Sequence, residues 1–242
     1  MELPYSLTTN RPVQLGMIVL QSDETLEADM RRLLPPEAEL LVSRVESGEE
    51  LSPEMIAGME ARLTASASLF PRGTELAAVG YGCTSASAQI GSARVAERIM
   101  AGVPTPHVTD PAAALIAACR AAGIGRLGLV SPYVASISDR LRHVLESAGI
   151  TVARFGSFNE PVEANVVRIT PQSLKDAAHA VAEGCDAVFL SCTNLRTLDV
   201  IPQIEAALDM PVLSSNQVLA WHMLRLAGID PVRNAPGRLW QM

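Results

Sequence analysis

Two parts of this sequence repeat one another. LGMIV at Leu15 has a counterpart in LGLVS at Leu127, 112 positions further on, and GCTS at Gly82 has one in SCTN at Ser191, 109 positions further on. Two anchors with nearly the same spacing point to an internal duplication, and so to two similar lobes rather than one continuous core.

The pattern inside each repeat sets the fold class. In the first, the apolar run LGMIVL (Leu15 to Leu20) is followed by the helical stretch ETLEADMRRLL, then ELLVSRV, a helix from about Ser52, and LAAVGYG. In the second, LGLVS is followed by a helix through DRLRHVLESAG, then ITVARF, a helix from Pro171, and DAVFLS. Strand-length apolar runs alternating with helices imply βαβ units and parallel sheets, with right-handed crossovers placing helices on both faces. With 48% hydrophobic but only 4% aromatic residues, the composition suits helices packed on parallel strands better than an aromatic-rich sandwich. The expected architecture is α/β: two pseudo-symmetric lobes, each a mostly parallel sheet flanked by helices, with the active site in the cleft between them. The first lobe is assigned to residues 1–112 and the second to 113–213, with the boundary near Asp110 to Ala114. A helical segment, 214–242, returns to the first lobe.

Charge and targeting signals narrow the function. The net charge is -7 with scattered Lys and Arg, which speaks against nucleic acid or an anionic membrane as partner. The N-terminal stretch lacks the order of a signal peptide, and no apolar run is long enough to span a membrane. The four cysteines, Cys83, Cys119, Cys185 and Cys192, have no secreted-scaffold spacing, so a cytoplasmic protein with reduced thiols is expected. His107, His143, His179 and His222 are isolated, so no metal site is expected. GYGCTS lacks the third glycine and the downstream acid of a dinucleotide loop, so no nucleotide cofactor is expected either.

Chemistry concentrates at the repeated cysteines. Cys83 follows the strand LAAVGYG and precedes a helix opening at TSASAQIG; Cys192 follows DAVFLS, and TNLRTLDVI reads as another helix start. A thiol at a helix N-terminus meets the positive end of the dipole, which favours thiolate. The same N–H groups, with the hydroxyls of Thr84, Ser85 and Thr193, suit a carboxylate, and Asn194 joins this set. A lone buried cysteine is usually a small hydrophobe, and Cys119 and Cys185 read that way. A matched pair in a duplicated fold does not. Tyr133, in SPY after the strand LGLVS, reads either as a donor to a substrate carboxylate or developing enolate, or as an ordinary half-buried tyrosine. At the equivalent place in the first lobe, Gln21, Ser22, Asp23 and Thr25 either face the cleft or cap the next helix.

GCTSAS at Gly82, SPY at Ser131, LSCTNLRTLDVIPQIE at Leu190 and PVLSSNQVLAWHMLRLAG at Pro211 resemble the aspartate/glutamate racemase superfamily, in particular its maleate isomerase and arylmalonate decarboxylase branch. The segment IVLQSDETLEADMRRLLP is also similar to a racemase-like subgroup associated with ectoine utilisation. The resemblance implies two lobes, a small carboxylate as substrate, neither metal nor pyridoxal phosphate, and frequent dimers or higher assemblies. It implies that Cys83 attacks a double bond while Cys192 handles the proton, or that the pair act as two bases on opposite faces. Decarboxylases of the branch keep only the second cysteine. Maleate isomerases carry asparagine where this chain has Asp23, and a second asparagine that aligns near Glu163 to Asn165, so Glu163 and Asn165 join the substrate-binding candidates.

Overall fold

The computed structural model describes residues 1–48, 52–232 and 234–242. The first sheet is built from β1 (Val13–Leu20), α1 (Leu26–Leu33), β2 (Ala38–Val45), α2 (Pro53–Ala67), β3 (Leu76–Gly82), α3 (Thr84–Ile90), α4 (Ser92–Met100) and β4 (Val108–Thr109). The helix α5 (Pro111–Ala122) crosses to the second sheet. There follow β5 (Arg126–Ser131), α6 (Ala135–Ser147), β6 (Thr151–Ser157), α7 (Glu163–Val166), α8 (Pro171–Val181), β7 (Ala187–Leu190), α9 (Ile201–Leu208), β8 (Val212–Ser214) and α10 (Ser215–Ala227).

The strand orders are β2-β1-β3-β4 and β6-β5-β7-β8, with every pairing parallel. The two sheets therefore share one topology, as the repeated sequence requires. In each, the first strand of the repeat lies centrally, which explains its unbroken apolar character: Leu15 to Leu20 are all buried. The carboxyl ends of β1, β3, β5 and β7 lead directly into the segments holding the candidate site residues, as expected for ligand sites in open parallel sheets.

Two helices join the lobes. Beginning at Pro111, α5 packs its Leu115 and Cys119 into a core shared with Leu129 and Phe189 of the second sheet. Along α10, Val218 and Trp221 enter that same core, while Leu219, Ala220 and Met223 pack with Leu15, Met17 and Ala78 of the first sheet. The approach of α10 to the first sheet is close: a Cβ on Gly80 would lie 2.6 Å from Met223 Sδ, so any side chain there would have to displace Met223. Among the described residues, no helix is long and apolar enough to cross a membrane.

Candidate active site

Asp23, Cys83, Thr84, Ser85, Tyr133, Glu163, Cys192, Thr193 and Asn194 line one cavity together with Leu20. Each lobe contributes a cysteine. The free space inside is about 10 Å³, room for about one water. The site is closed as it stands and has no room for even a small carboxylic acid. Larger surface grooves lie elsewhere, such as the one between Leu76 and Pro104, but they hold none of this chemistry.

Local sequence explains the first lobe's contribution. Cys83 is the N-cap of α3, and its Sγ accepts from the backbone N–H of Ala86 at 3.4 Å. Thr84 Oγ1 shares a hydrogen bond of 2.8 Å with Ser215 Oγ, at the start of α10. Among the described residues, Ser85 Oγ has no side-chain hydrogen bond and remains available to a ligand. Asp23 sits in the turn after β1, where Arg44 donates to the carbonyls of Leu20 and Asp23 at 2.8 and 3.1 Å. One of its carboxylate oxygens, Oδ1, accepts from the N–H groups of Thr25 and Leu26, each at 2.8 Å. Among the described residues its Oδ2 is buried without a partner. Asp23 thus caps α1 with one oxygen and leaves the other over.

In the second lobe, Cys192 has φ of 138°, a conformation that non-glycine residues hold only when their surroundings fix it. Ser215 Oγ accepts its N–H at 2.9 Å. Its Sγ stands 3.1 Å from Tyr133 Oη and accepts the N–H of Asn194 at 3.3 Å. Tyr133 Oη donates to Glu163 Oε1 at 2.5 Å. Asn194 Nδ2 donates to Glu163 Oε2 at 3.2 Å, while Asn194 Oδ1 accepts the N–H of Glu24 at 2.9 Å. Thr193 Oγ1 donates across to Gly82 O at 3.2 Å.

The structure corrects three sequence expectations. First, no helix starts after Cys192: the chain runs irregularly through Thr193 to Val200, and α9 begins only at Ile201. That run is pinned to the other lobe, with Thr25 Oγ1 donating to Asn194 O and Asn216 Nδ2 to Thr193 O. Second, the cysteines are not held as thiolates. Burial pushes the Cys83 thiol up to about 12, outweighing the Ala86 N–H. It also raises Cys192 well above the usual thiol range, with the nearby Glu163 carboxylate adding to the effect. Third, Asn165 is exposed on α7, outside the cavity, whereas Glu163 of the same helix is buried and points in. Gln21 is exposed and Ser22 pairs with Ser47, so neither lines the cavity. Burial also raises the carboxyls of Glu163 and Asp23.

Cys119 is a core residue and Cys185 a partly buried surface one. Sequence reading missed Ser215 and Asn216. Ser215 links Thr84 to the backbone of Cys192, and Asn216 donates to Asp29 Oδ2 at 2.7 Å. Their signal was the polar cluster SSNQ opening an otherwise apolar helix. Among the described residues, no group of three or more His, Cys, Asp or Glu side chains is arranged to hold a metal ion.

Two lobes of identical parallel topology, each setting a cysteine into one closed cavity, define a two-lobed, two-cysteine α/β class. The sequence pattern of the arylmalonate decarboxylase family matches residues 47–240, and the chain belongs to that family, within the superfamily branch that also contains the maleate isomerases. An arylmalonate decarboxylase from Bordetella bronchiseptica is 31% identical over 137 residues, covering 55% of this chain and 56% of that protein, so this match spans about half its length. A maleate isomerase from Nocardia farcinica is 27% identical over 238 residues, covering 93% of this chain and 94% of that protein. In solved structures, the fold matches a Nocardia farcinica maleate cis-trans isomerase variant with a covalently bound succinylcysteine intermediate: TM-score 0.85, 23% identity, 95% of this chain and 98% of that one.

Proposed function

We propose that this protein is a cofactor-independent isomerase or racemase of a small carboxylic acid, with Cys83 and Cys192 as a facing acid and base pair. The observation that carries the reading is the placement of one cysteine from each lobe in a single closed cavity. In a racemase mode, one sulfur, as thiolate, removes the α-proton and the opposite thiol returns one to the other face. In a cis-trans mode, the Cys83 sulfur bonds to one alkene carbon while Cys192 gives its proton to the next. Rotation about the single bond and reversal of both steps then release the isomer. The covalent succinylcysteine seen in the Nocardia farcinica enzyme supports the second mode as precedent. Ser85 Oγ and the first-turn N–H groups of Thr84 and Ser85 suit the substrate carboxylate, and Tyr133 suits a developing enolate.

The lining carries two carboxylates, Asp23 and Glu163, and no Lys, Arg or His. This favours a substrate that also bears an ammonium group or another strong hydrogen-bond donor over a plain dianion. A second reading, decarboxylation of a malonate-type acid with Cys192 protonating the enediolate, is favoured by the family match and by the Bordetella bronchiseptica relative. Both are tested by incubating the protein in D₂O with maleate, amino acids and substituted malonates and following products by NMR. Deuterium at the α-carbon, with inversion or a trans product, supports the first reading; loss of CO₂ supports the second. No turnover and no exchange with any member of the panel would overturn both and leave a carboxylate-binding protein.

A further inference from the structure

Four buried groups close a ring around the second cysteine. Tyr133 Oη bridges Cys192 Sγ, at 3.1 Å, and Glu163 Oε1, at 2.5 Å. Asn194 completes the ring with its side-chain amide on Glu163 and its backbone N–H on Cys192. A phenol has one proton and here two neighbours. When that proton points at Glu163, the phenol oxygen is left to accept the thiol proton of Cys192. Thiol, phenol and carboxylate then form a continuous proton path.

The electrostatics give this path a purpose. The racemase mode needs one sulfur as thiolate, yet burial and neighbouring carboxylates hold both as thiols. Losing a proton to solvent would set a thiolate beside the Glu163 carboxylate in a desolvated space that also faces Asp23. Moving the proton within the ring leaves a single negative charge there, before and after.

We infer that Glu163 is the proton store of Cys192, reached through Tyr133, and that in the racemase mode Cys192 is thereby the sulfur that starts as base. The step balances. The S–H bond of Cys192 breaks as Tyr133 Oη takes the proton, the former O–H bond of Tyr133 breaks as Glu163 Oε1 takes that proton, and the negative charge passes from carboxylate to sulfur. The new thiolate keeps the N–H of Asn194 and gains the O–H of Tyr133. Reversal returns the proton. An amide at this position could accept from Tyr133 through its oxygen, but it would turn its NH₂ toward the Asn194 amide and could not take up the proton. Glu163 exchanges a proton with the sulfur only through Tyr133 and is in this sense a positioning residue. The other titratable groups facing the ring are Asp23 and Cys83. The inference rests on the proposed role of Cys192 in moving a proton.

The test needs no substrate. Cys192 is alkylated with iodoacetamide between about pH 6 and pH 9, and its rate is read separately from that of Cys83 by peptide mass spectrometry, since only the thiolate reacts. In the unmodified protein, internal transfer fixes the thiolate fraction, so the rate should rise as Glu163 ionises and then stay level. In Glu163→Gln, deprotonation must go to solvent, and the rate should rise about tenfold per pH unit. Tyr133→Phe keeps Glu163 as the store but loses the phenol that stabilises the thiolate, so its profile should stay level at a rate lowered about tenfold or more. A tenfold slope in the unmodified protein, a level profile in Glu163→Gln, an unlowered rate in Tyr133→Phe, or no labelling of Cys192 at any pH would overturn the relay. Because turnover plays no part, that result would leave the isomerase reading standing, and a level profile in a chain inert toward every carboxylate would leave the relay standing.

Discussion

The hydroxyl of Thr193 donates to the carbonyl of Gly82 at 3.2 Å, so the residue after one site cysteine is fastened to the residue before the other. Thr84 and Ser215 add a second tie, from the first lobe through Ser215 Oγ to the backbone of Cys192. The relative placement of the two sulfurs is thus fixed by hydrogen bonds that cross between lobes and do not involve the sulfurs.

Replacing either sulfur should therefore remove chemistry without disturbing the frame. Cys83→Ser and Cys192→Ser should each lower kcat/KM by about 10²–10⁴-fold, the range for a positioned acid or base, with near-ultraviolet circular dichroism unchanged. Cys119→Ser, in the shared core, should keep most activity while losing some thermal stability. Normal turnover by Cys83→Ser would rule out paired sulfurs.

The duplication was legible because both repeats keep their central strands as continuous apolar runs and place a Cys-Thr pair at the end of the third strand. Symmetry misled at Cys192. The first lobe follows its cysteine with α3, and the second was expected to do the same. Instead Thr193 to Val200 lie against the other lobe, and contacts with Thr25 and Asn216 decide their path. Such contacts join residues far apart in sequence and leave no periodic trace. The same holds for Glu163 and Asn165, two neighbours on one short helix, of which only the packing shows that the glutamate turns inward. The two- and three-residue strands β4 and β8 are too short to produce an alternation that sequence could reveal.

Tyr133→Phe should impair turnover more than stability. The phenol touches Cys192 and Glu163 at the closed cavity, and a lost donor to a developing oxyanion costs about 2.7–4 kcal/mol in transition-state stabilisation. Steady-state kinetics beside a thermal melt decide it. Unchanged kinetics with a large fall in Tm would make Tyr133 a packing residue.

Asp29 should make stability depend on pH. Burial raises its folded carboxyl from 3.8 to about 6, although Asn216 donates to it. The folded state therefore binds this proton more tightly than the unfolded chain. The resulting stabilisation is full below about pH 4, falls as pH rises, and is gone above about pH 6; the shift is worth at most about 3 kcal/mol. Urea midpoints across this window should fall less steeply with pH in Asp29→Asn than in the unmodified protein. Parallel slopes would show that Asp29 titrates alike in both states.

Asp23 should set the charge preference of the site. Its Oδ1 is taken by the N–H groups of Thr25 and Leu26, whereas Oδ2 is buried at the cavity with no partner among the described residues. A carboxylate placed 4 Å from it would be repelled by about 4 kcal/mol at an effective dielectric of 20, and an ammonium attracted by as much. Burial alone raises this carboxyl, and a cationic substrate group would reverse that by favouring the charged form. Asp23→Asn separates recognition from capping, because asparagine caps a helix as well as aspartate does. The variant should melt within a few degrees of the unmodified protein. Its KM for ammonium-bearing carboxylates should rise at least about tenfold, corresponding to about 1.4 kcal/mol, while binding of plain dicarboxylates improves. Efficient turnover of a plain dicarboxylate by the unmodified protein, with every ammonium-bearing acid inert, would refute the charge argument and leave Asp23 as a helix cap.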